Sequence, residues 1–329
     1  MWATLAQQMA GLGYAMHSSQ GTPLPTLQLT PPADVTQSLP VAAMLLAAGR
    51  GERMRPLTDT TPKPLLLVQG KPLMQWLLEA LVRSGCKRVV INTAWLGKNI
   101  VATLGNSFTF PPNGTPCTTE NPVNAPRAEI QYSHEAADFG AALETAGGIA
   151  RALPLLCDAA ATDAYADVFW VLAGDVYAPQ FEFTQQHADA FVAGDKLAHL
   201  WLVPNPAHHP KGDFGLDLSA ATEAELGSGI GLAQHLPDDS LQPRYTYSTI
   251  GLYRKAFFSA PWCDIPCGNP AGLQAPLAPL LRAAMRQGRV SAQLYTGAWT
   301  DVGTPERLAL LNAATPHNGV STRLSNATL

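Results

Sequence analysis

Short apolar runs alternate with helix-like segments through the middle of the chain. The first run, Val41 to Ala48, stops at a glycine-rich loop, which together with its brevity predicts a strand buried on both faces. Met74–Arg83 has helical periodicity and closes on Ser84-Gly85, as a helix C-terminus does. Residues 88–92 predict a second strand, and residues from about 96 to 104 a second helix. This order of elements predicts a doubly wound α/β domain.

The same alternation continues to the end of the patterned region. Further strands are predicted at 129–133, 168–175, 198–203, 247–253 and 291–295. Further helices are predicted at 149–156, about 183–192, 277–287 and 306–312. The stretch from 204 to Tyr245 carries no clear period and is read as irregular.

The two ends of the chain differ in composition from the middle. Residues 18–40 are rich in Ser, Thr, Gln and Pro, with too few apolar side chains to offset the entropy of ordering them. We therefore expect a flexible N-terminal extension over 1–40, a single domain over 41–312 and a flexible tail over 313–329. Within the domain, a long surface loop is expected at about 105–127.

Composition narrows the class of protein. The chain has 329 residues, of which 47% are hydrophobic and 14% charged, so a large buried core is expected. A net charge of −4 provides no broad basic field, which argues against nucleic acid or membrane as partners. No apolar run reaches the ~18 residues of a membrane span, and the N-terminus lacks the basic region of a signal peptide. Five scattered cysteines favour a reducing compartment, so we expect a cytoplasmic protein.

The loop after the first strand, Gly49-Arg50-Gly51-Glu52-Arg53-Met54-Arg55-Pro56, is the first candidate for chemistry. Glycines directly after a buried strand let backbone N–H groups approach a phosphate, and the arginines add charge-assisted donors. The alternative is an ordinary turn with solvated arginines. A dinucleotide fingerprint would need a third glycine where Met54 stands, and no Gly-Lys-Ser/Thr follows to make a P-loop.

Three further side chains could complete a phosphate site. Lys63 lies between two prolines, which stiffen the backbone that carries it, although it could also be a solvated loop lysine. Asp175 ends an apolar strand, where α/β sheets bind ligands, although it could also cap a turn. Asp301 follows Trp299-Thr300 in a similar way. If the two carboxylates converge, they suit Mg²⁺, and the metal with Lys63 would equip the site for chemistry at phosphorus.

These motifs together resemble the sugar-1-phosphate nucleotidyltransferases. The resemblance rests on Leu45–Thr58, Pro62-Lys63-Pro64, Gly174-Asp175 and Trp299–Thr304. The inner segments 92–97, 143–148 and 205–214 are similar to those of the uridylyltransferases that act on N-acetylmuramate 1-phosphate in bacterial cell-wall recycling. The resemblance covers about residues 41–312, and it implies a Rossmann-like, mixed and mostly parallel sheet of the GT-A-like type.

The resemblance also implies an activity and a set of roles. The enzyme would use Mg²⁺ to transfer UMP from UTP to a sugar 1-phosphate, as a monomer or small homo-oligomer. The residues implied to bind the nucleotide phosphates are Ala48, Gly49, Gly51, Glu52, Arg53 and Lys63, of which Lys63 would bind the α-phosphate or the sugar phosphate. The implied catalytic residues are Arg53, Lys63 and Asp175, and the implied metal ligands are Asp175 and Asp301. Leu143, Glu144 and Thr145 would bind the base, and Asn92, Asn205 and Asp213 the sugar.

Three positions depart from the pattern of these relatives. Ala146 and Thr249 stand where they tend to have glycine, and Pro276 stands where they tend to have lysine. The substrates therefore stay open between N-acetylmuramate 1-phosphate with UTP, mannose 1-phosphate with GTP, and glucose 1-phosphate with UTP or dTTP. A non-catalytic nucleotide-sensing protein on the same fold is the alternative of another class.

Overall fold

The structure is a computed structural model that describes residues 41–110, 125–158, 162–219 and 227–313. In chain order its strands are β1 (Ala42–Ala47), β2 (Leu67–Val68), β3 (Lys71–Pro72), β4 (Arg88–Thr93), β5 (Ser107–Thr109), β6 (Arg127–His134), β7 (Val168–Ala173), β8 (Val176–Tyr177), β9 (Ala198–Val203), β10 (Gly215–Asp217), β11 (Ile230–Gln234), β12 (Thr246–Arg254), β13 (Val290–Leu294) and β14 (Thr300–Asp301). Its α-helices are α1 (Leu73–Arg83), α2 (Gly97–Leu104), α3 (Glu135–Phe139), α4 (Glu144–Leu156), α5 (Gln185–Ala193), α6 (Leu277–Met285) and α7 (Pro305–Ala313).

Ten of these strands form one mixed sheet in the order β10-β11-β13-β9-β12-β7-β1-β4-β6-β5. The strand pairings give β10, β13, β9, β7, β1, β4 and β6 one direction, and β11, β12 and β5 the opposite one. The mixed, mostly parallel, doubly wound sheet expected from the sequence is therefore confirmed. Two small sheets, β8 with β14 and β2 with β3, lie apart from it.

The strand β1 lies at the middle of the core. It pairs in parallel with β4 and β7, and its side chains alternate between two apolar layers. Ala43 and Leu45 pack with buried residues of α1, α2 and α5, whereas Ala42 and Met44 pack with those of α4 and α6. Helices therefore cover both faces of the sheet, and the carboxyl ends of β4, β1 and β7 open at one shared edge.

The differences from the sequence-based expectations lie at edges and boundaries. The stretch read as irregular contains β10 and β11, which are short strands at one edge of the sheet. Likewise β5 occupies part of the expected 105–127 loop, and Ala313, the first residue of the expected tail 313–329, ends α7. Residues 111–124, the expected N-terminal extension 1–40 and the rest of the tail lie outside the described residues. The helix expected from 149 begins five residues earlier, at Glu144. No helix in the described ranges is long and apolar enough to cross a membrane.

Helix α4 is held against the segment before α6 through backbone contact. The Ala275 carbonyl accepts hydrogen bonds from Ala146 N (2.9 Å) and Gly147 N (3.2 Å). A Cβ on Gly147 would overlap the Leu273 carbonyl oxygen, and Asn269 Nδ2 already donates to that oxygen at 2.8 Å. Position 147 therefore requires glycine, because the atom in its way is backbone that is itself hydrogen-bonded.

We predict that Gly147→Ala lowers the free energy of unfolding by about 1–3 kcal/mol, the usual cost of overpacking. Alanine gains about 1 kcal/mol of helix propensity over glycine, but this gain is smaller than the cost of moving a hydrogen-bonded backbone segment. Chemical denaturation measures the difference. The matched control is Gly227→Ala, whose Cβ meets no atom within 4 Å and which should change stability by less than about 0.5 kcal/mol. A stabilised Gly147→Ala protein would contradict the contact.

Candidate active site

A cavity of about 630 Å³ lies at the carboxyl ends of β4, β1 and β7. Adjacent strands bring its walls together, since Leu46 at the end of β1 is in register with Asn92 of β4 and Ala173 of β7. Eight of the residues singled out from the sequence line it: Ala48, Gly49, Lys63, Asn92, Glu144, Thr145, Asp175 and Asp213. Residues separated by as much as 165 positions in the sequence (213 − 48) thus share one site.

Lys63 and Asp175 form an ion pair in this cavity. Lys63 starts a single 3₁₀ turn after an extended proline, Pro62, and only 11% of its side chain is exposed. Asp175 arrives from β7 through Gly174, whose N–H donates to the Leu46 carbonyl at 2.8 Å. A Cβ at position 174 would lie 2.9 Å from that carbonyl, so glycine is what allows the chain to pass so close to β1.

Asp301 lies on β14, which pairs with β8, the short strand that begins directly after Asp175. Val302 N donates to the Asp175 carbonyl at 2.9 Å, and Asp301 is in register with Val176. The Asp301 carboxylate accepts both contacts of Arg307 Nη1 at 2.6 Å, and His208 Nε2 lies 2.9 Å from it. The backbones of the two residues predicted to hold a metal are therefore adjacent, although Asp175 lines the cavity and Asp301 does not.

The donor set suits a hard cation. The described residues contain no group of three or more His, Cys, Asp or Glu side chains able to hold a metal. The assignment of Asp175 and Asp301 as metal ligands stays a prediction. One or two carboxylates completed by substrate phosphates is the usual arrangement for Mg²⁺. Each carboxylate already has a basic partner, so a bound cation would take the place of Lys63 at Asp175 and of Arg307 at Asp301.

Glu135 is a site residue that the sequence analysis did not single out. It is fully buried and lines the cavity directly after β6, accepting hydrogen bonds from Asn92 Nδ2 and from Leu143 N, each at 2.7 Å. Asn92 Oδ1 in turn accepts from Ala47 N at 2.8 Å, which ties this network to the end of β1. Burial raises the pKa of the Glu135 carboxyl, against the opposing effect of these donors. The sequence signal that could have identified Glu135 is its position directly after a strand, which it shares with Asp175.

Two residues lining the cavity have backbones in the left-handed region. Glu144, which opens α4, has φ = 58°, and Thr249 has φ = 62° at an irregularity in the β9–β12 pairing. Non-glycine residues pay roughly 1–3 kcal/mol for such conformations, which concentrate at ligand sites. Thr249 is β-branched and so is the more strained of the two. A glycine, which the resemblance in the sequence leads us to expect at position 249, would adopt the same backbone angle without this strain.

Asp213 lies on the wall formed by the start of β12. Its Oδ2 accepts from Tyr247 N at 2.8 Å, and its Oδ1 lies 3.1 Å from His209 Nε2. Asn205 does not line the cavity: its side chain donates to the Arg244 carbonyl at 2.9 Å and accepts from Thr246 Oγ1 at 2.9 Å. In this structure Asn205 positions the loop that carries Asp213.

The remaining predicted residues lie outside the cavity lining. Gly51 has φ = 69° and directly precedes a 3₁₀ turn, Glu52–Met54, in which Met54 is the buried residue. The Glu52 carboxylate accepts from Arg50 Nε at 2.7 Å, and Arg53 is exposed. Leu143 is buried and contributes its backbone to the network of Glu135. Their assignment to substrate stays a prediction.

We predict that Glu135→Gln lowers the free energy of unfolding by about 1–3 kcal/mol. A carboxylate accepts from both Asn92 and Leu143, but an amide turns one acceptor into a donor, which leaves one buried N–H unpaired. Asn92 cannot compensate by flipping, because its Oδ1 already accepts from Ala47 N. Denaturant titration measures the loss, with the exposed Glu129→Gln as control. Equal stability of the two variants would contradict the network.

Comparison with known proteins matches the chain to the family described as nucleotidyl transferase, over residues 42–216. The chain is 44% identical over 267 residues to the N-acetylmuramate alpha-1-phosphate uridylyltransferase of Neisseria meningitidis serogroup B. This match covers 81% of this chain and 94% of that protein. It is 30% identical over 276 residues to the protein of the same name from Caulobacter vibrioides, covering 81% and 93%.

Two solved structures share the fold at low sequence identity. A putative glucose-1-phosphate thymidylyltransferase from Bacillus anthracis has a TM-score of 0.58 at 18% identity, with 83% of this chain and 94% of that chain covered. A UDP-glucose pyrophosphorylase complexed with UDP-glucose has a TM-score of 0.58 at 16% identity, with 83% and 97% covered. Because the family match spans the loop, Lys63 and Asp175, and the relatives match almost end to end, the chain belongs to the nucleotidyl transferase family, as a sugar-1-phosphate nucleotidyltransferase.

Proposed function

We propose that this enzyme transfers UMP from UTP to N-acetylmuramate 1-phosphate and releases pyrophosphate. The observation that carries the chemistry is the Lys63–Asp175 pair, with Asp301 beside it, at the edge of the sheet where β1 and β7 end. The substrates are proposed from the two relatives that match over more than nine-tenths of their length, both of which are named for this reaction. A cavity of about 630 Å³ lies within the 300–1,000 Å³ usual for ligand pockets.

The nucleotide is proposed to lie along the wall from Ala48 to Thr145. The backbone N–H groups of Ala48 and Gly49 follow β1 directly and would meet the phosphates, with Arg53 reaching them from the adjoining 3₁₀ turn. At the other end Glu144 and Thr145 would meet the edge of the base, held in place by Glu135 through Leu143 N. The strained backbone of Glu144 supports a ligand contact at this point.

The sugar phosphate is proposed to enter from the side of Asn92 and Asp213 and to react by in-line displacement. One of its oxygens attacks the α-phosphorus of UTP, the new P–O bond forms, and the bond to the β-phosphate breaks to release pyrophosphate. A phosphate is already anionic at neutral pH, so no side chain needs to remove a proton. Lys63 would neutralise oxygens on the reacting phosphates, where charge neutralisation and positioning provide most of the rate enhancement.

Magnesium is proposed as the cofactor, held by Asp175 and Asp301. When bound, the cation would supply charge neutralisation and orientation of phosphate oxygens. Lys63 and Arg307 neutralise these carboxylates in the structure, so both would become available when the cation replaces them. Lys63 would then be released from Asp175 at the point where a substrate phosphate arrives.

We place this reaction in the cytoplasm, in the recycling of cell-wall muramate, because the product is a nucleotide sugar of that acid. The buried free thiols Cys86, Cys157 and Cys263 are compatible with a reducing compartment.

Pyrophosphate release with Mg²⁺, each nucleoside triphosphate and a panel of sugar 1-phosphates tests the proposal. We expect the highest kcat/KM for UTP with N-acetylmuramate 1-phosphate. A preference for mannose 1-phosphate with GTP, or for glucose 1-phosphate with UTP or dTTP, would overturn the substrate assignment while leaving the family intact. No release with any pair would favour a nucleotide-sensing protein.

We predict that Asp175→Asn lowers kcat at least about 100-fold, because removing one charge from the carboxylate pair weakens cation binding and unpairs Lys63. Asp217→Asn, on the edge strand β10, changes the same charge outside the cavity lining and should retain near-wild-type turnover. Titration with Mn²⁺ followed by electron paramagnetic resonance measures cation affinity independently of turnover. Asp175→Asn with wild-type kcat at saturating Mg²⁺ would contradict the metal assignment.

A further inference from the structure

Helix α6 lines one wall of the cavity with both apolar and charged side chains. Leu277 and Leu281 are buried in the apolar layer on this face of the sheet, and the exposed Arg282 lines the cavity. The helix packs on β11 and β13, which lie beyond β9 and β12 from β1 in the sheet order. Arg282 therefore belongs to the half of the cavity that holds Asp213 and Thr249, the proposed sugar side.

The charges on the cavity wall are unequally matched. The described residues that line it carry two basic side chains and four carboxylates: Lys63, Arg282, Glu135, Glu144, Asp175 and Asp213. Lys63 is paired with Asp175, whereas Arg282 makes no ion pair with a carboxylate in the described ranges. The neutral Pro276 at the start of the same wall adds no charge, so Arg282 is the cation on this side that is left for a ligand.

Other arginines reinforce the positive charge around Arg282. The pKa of His235 is lowered first by burial and then by three nearby arginines, Arg282, Arg286 and Arg244, while Asp238 opposes them. Arg244 Nη2 donates to the Leu236 carbonyl at 3.1 Å and makes no ion pair among the described residues. In a chain of net charge −4, these three arginines form a local basic region around His235, and Arg282 is the member that lines the cavity.

We propose that Arg282 binds the carboxylate of the sugar substrate and so selects an acidic sugar 1-phosphate over a neutral one. This inference rests on the proposed function. N-acetylmuramate differs from N-acetylglucosamine by a lactyl ether at the 3-oxygen, which ends in a carboxylate. The planar guanidinium can donate two parallel hydrogen bonds to that group.

The proposal accounts for one charge of the substrate, the lactyl carboxylate, that the other groups of the site do not neutralise. Lys63 and the metal carboxylates neutralise the phosphates, which leaves the lactyl carboxylate to find its own partner when it leaves water. A carboxylate placed in a cavity without a partner loses hydration with nothing in return, so an unmatched arginine on the same wall decides whether this sugar can bind. A neutral sugar gains nothing from Arg282.

The test compares kcat/KM for N-acetylmuramate 1-phosphate and N-acetylglucosamine 1-phosphate, with UTP and Mg²⁺ held constant. In Arg282→Gln the ratio of the two values should fall at least tenfold, mostly through a higher KM for the muramate substrate. Arg286→Gln is the matched control, because it removes the same charge from the residue after α6 and does not line the cavity. Its ratio should stay within threefold of wild type, and thermal unfolding checks that both variants fold.

A second test changes the substrate instead of the protein. The methyl ester of the lactyl carboxylate should be a poor substrate for the wild type and should lose no further activity in Arg282→Gln. A wild type that prefers the muramate substrate and a variant that keeps this preference would overturn the inference alone. A wild type that is active only on other sugar 1-phosphates would overturn the proposed function and, with it, this inference.

Discussion

The parallel pairing of β1 with β4 on one side and β7 on the other is the constraint on which the site depends. It brings Leu46, Asn92 and Ala173 into register, so the three chain segments that follow them leave the sheet together. The Gly174 N–H then bonds to the Leu46 carbonyl, which sets Asp175 beside Lys63. An ion pair between residues 112 apart in sequence is thus a consequence of three adjacent strand ends. A side chain larger than hydrogen at 174 would separate them.

The other half of the cavity depends on a buried polar network. The Glu135 carboxyl is fully buried, and an isolated charge at that position would cost free energy. It persists because Asn92 Nδ2 and Leu143 N both donate to it, and because Gly148 leaves room: a Cβ there would lie 2.5 Å from Glu135 Oε1. The same network holds the first turn of α4, where Glu144 has its left-handed backbone. The strained Glu144 backbone therefore lies directly after a residue that the buried network holds in place.

The sequence predicted the interior of this fold better than its margins. Strands buried on both faces, such as β1 and β9, have continuous apolar runs, and the glycine loop and Lys63 motif have strong local signatures. In contrast β10 and β11, the last two strands at one side of the sheet, are short and have little pattern. Glu135 is a single acidic residue whose importance arises only when β6 ends beside β4. The exposure of Arg53 and the use of Asn205 within its own loop also depend on tertiary contacts, which local sequence does not encode.

Charge balance distinguishes the parts of the cavity. Asp175 has Lys63 and Asp301 has Arg307, so the reaction centre is close to neutral before any phosphate or cation arrives. A phosphate or cation that binds there must therefore replace one member of an existing ion pair, and the free energy of that pair is lost before the new pair forms. Arg282 has no such partner to give up among the described residues, so a carboxylate that reaches it does not first have to displace an existing ion pair. Selection of the sugar by charge is therefore separable from the chemistry at phosphorus, and substitutions on α6 can change one without the other.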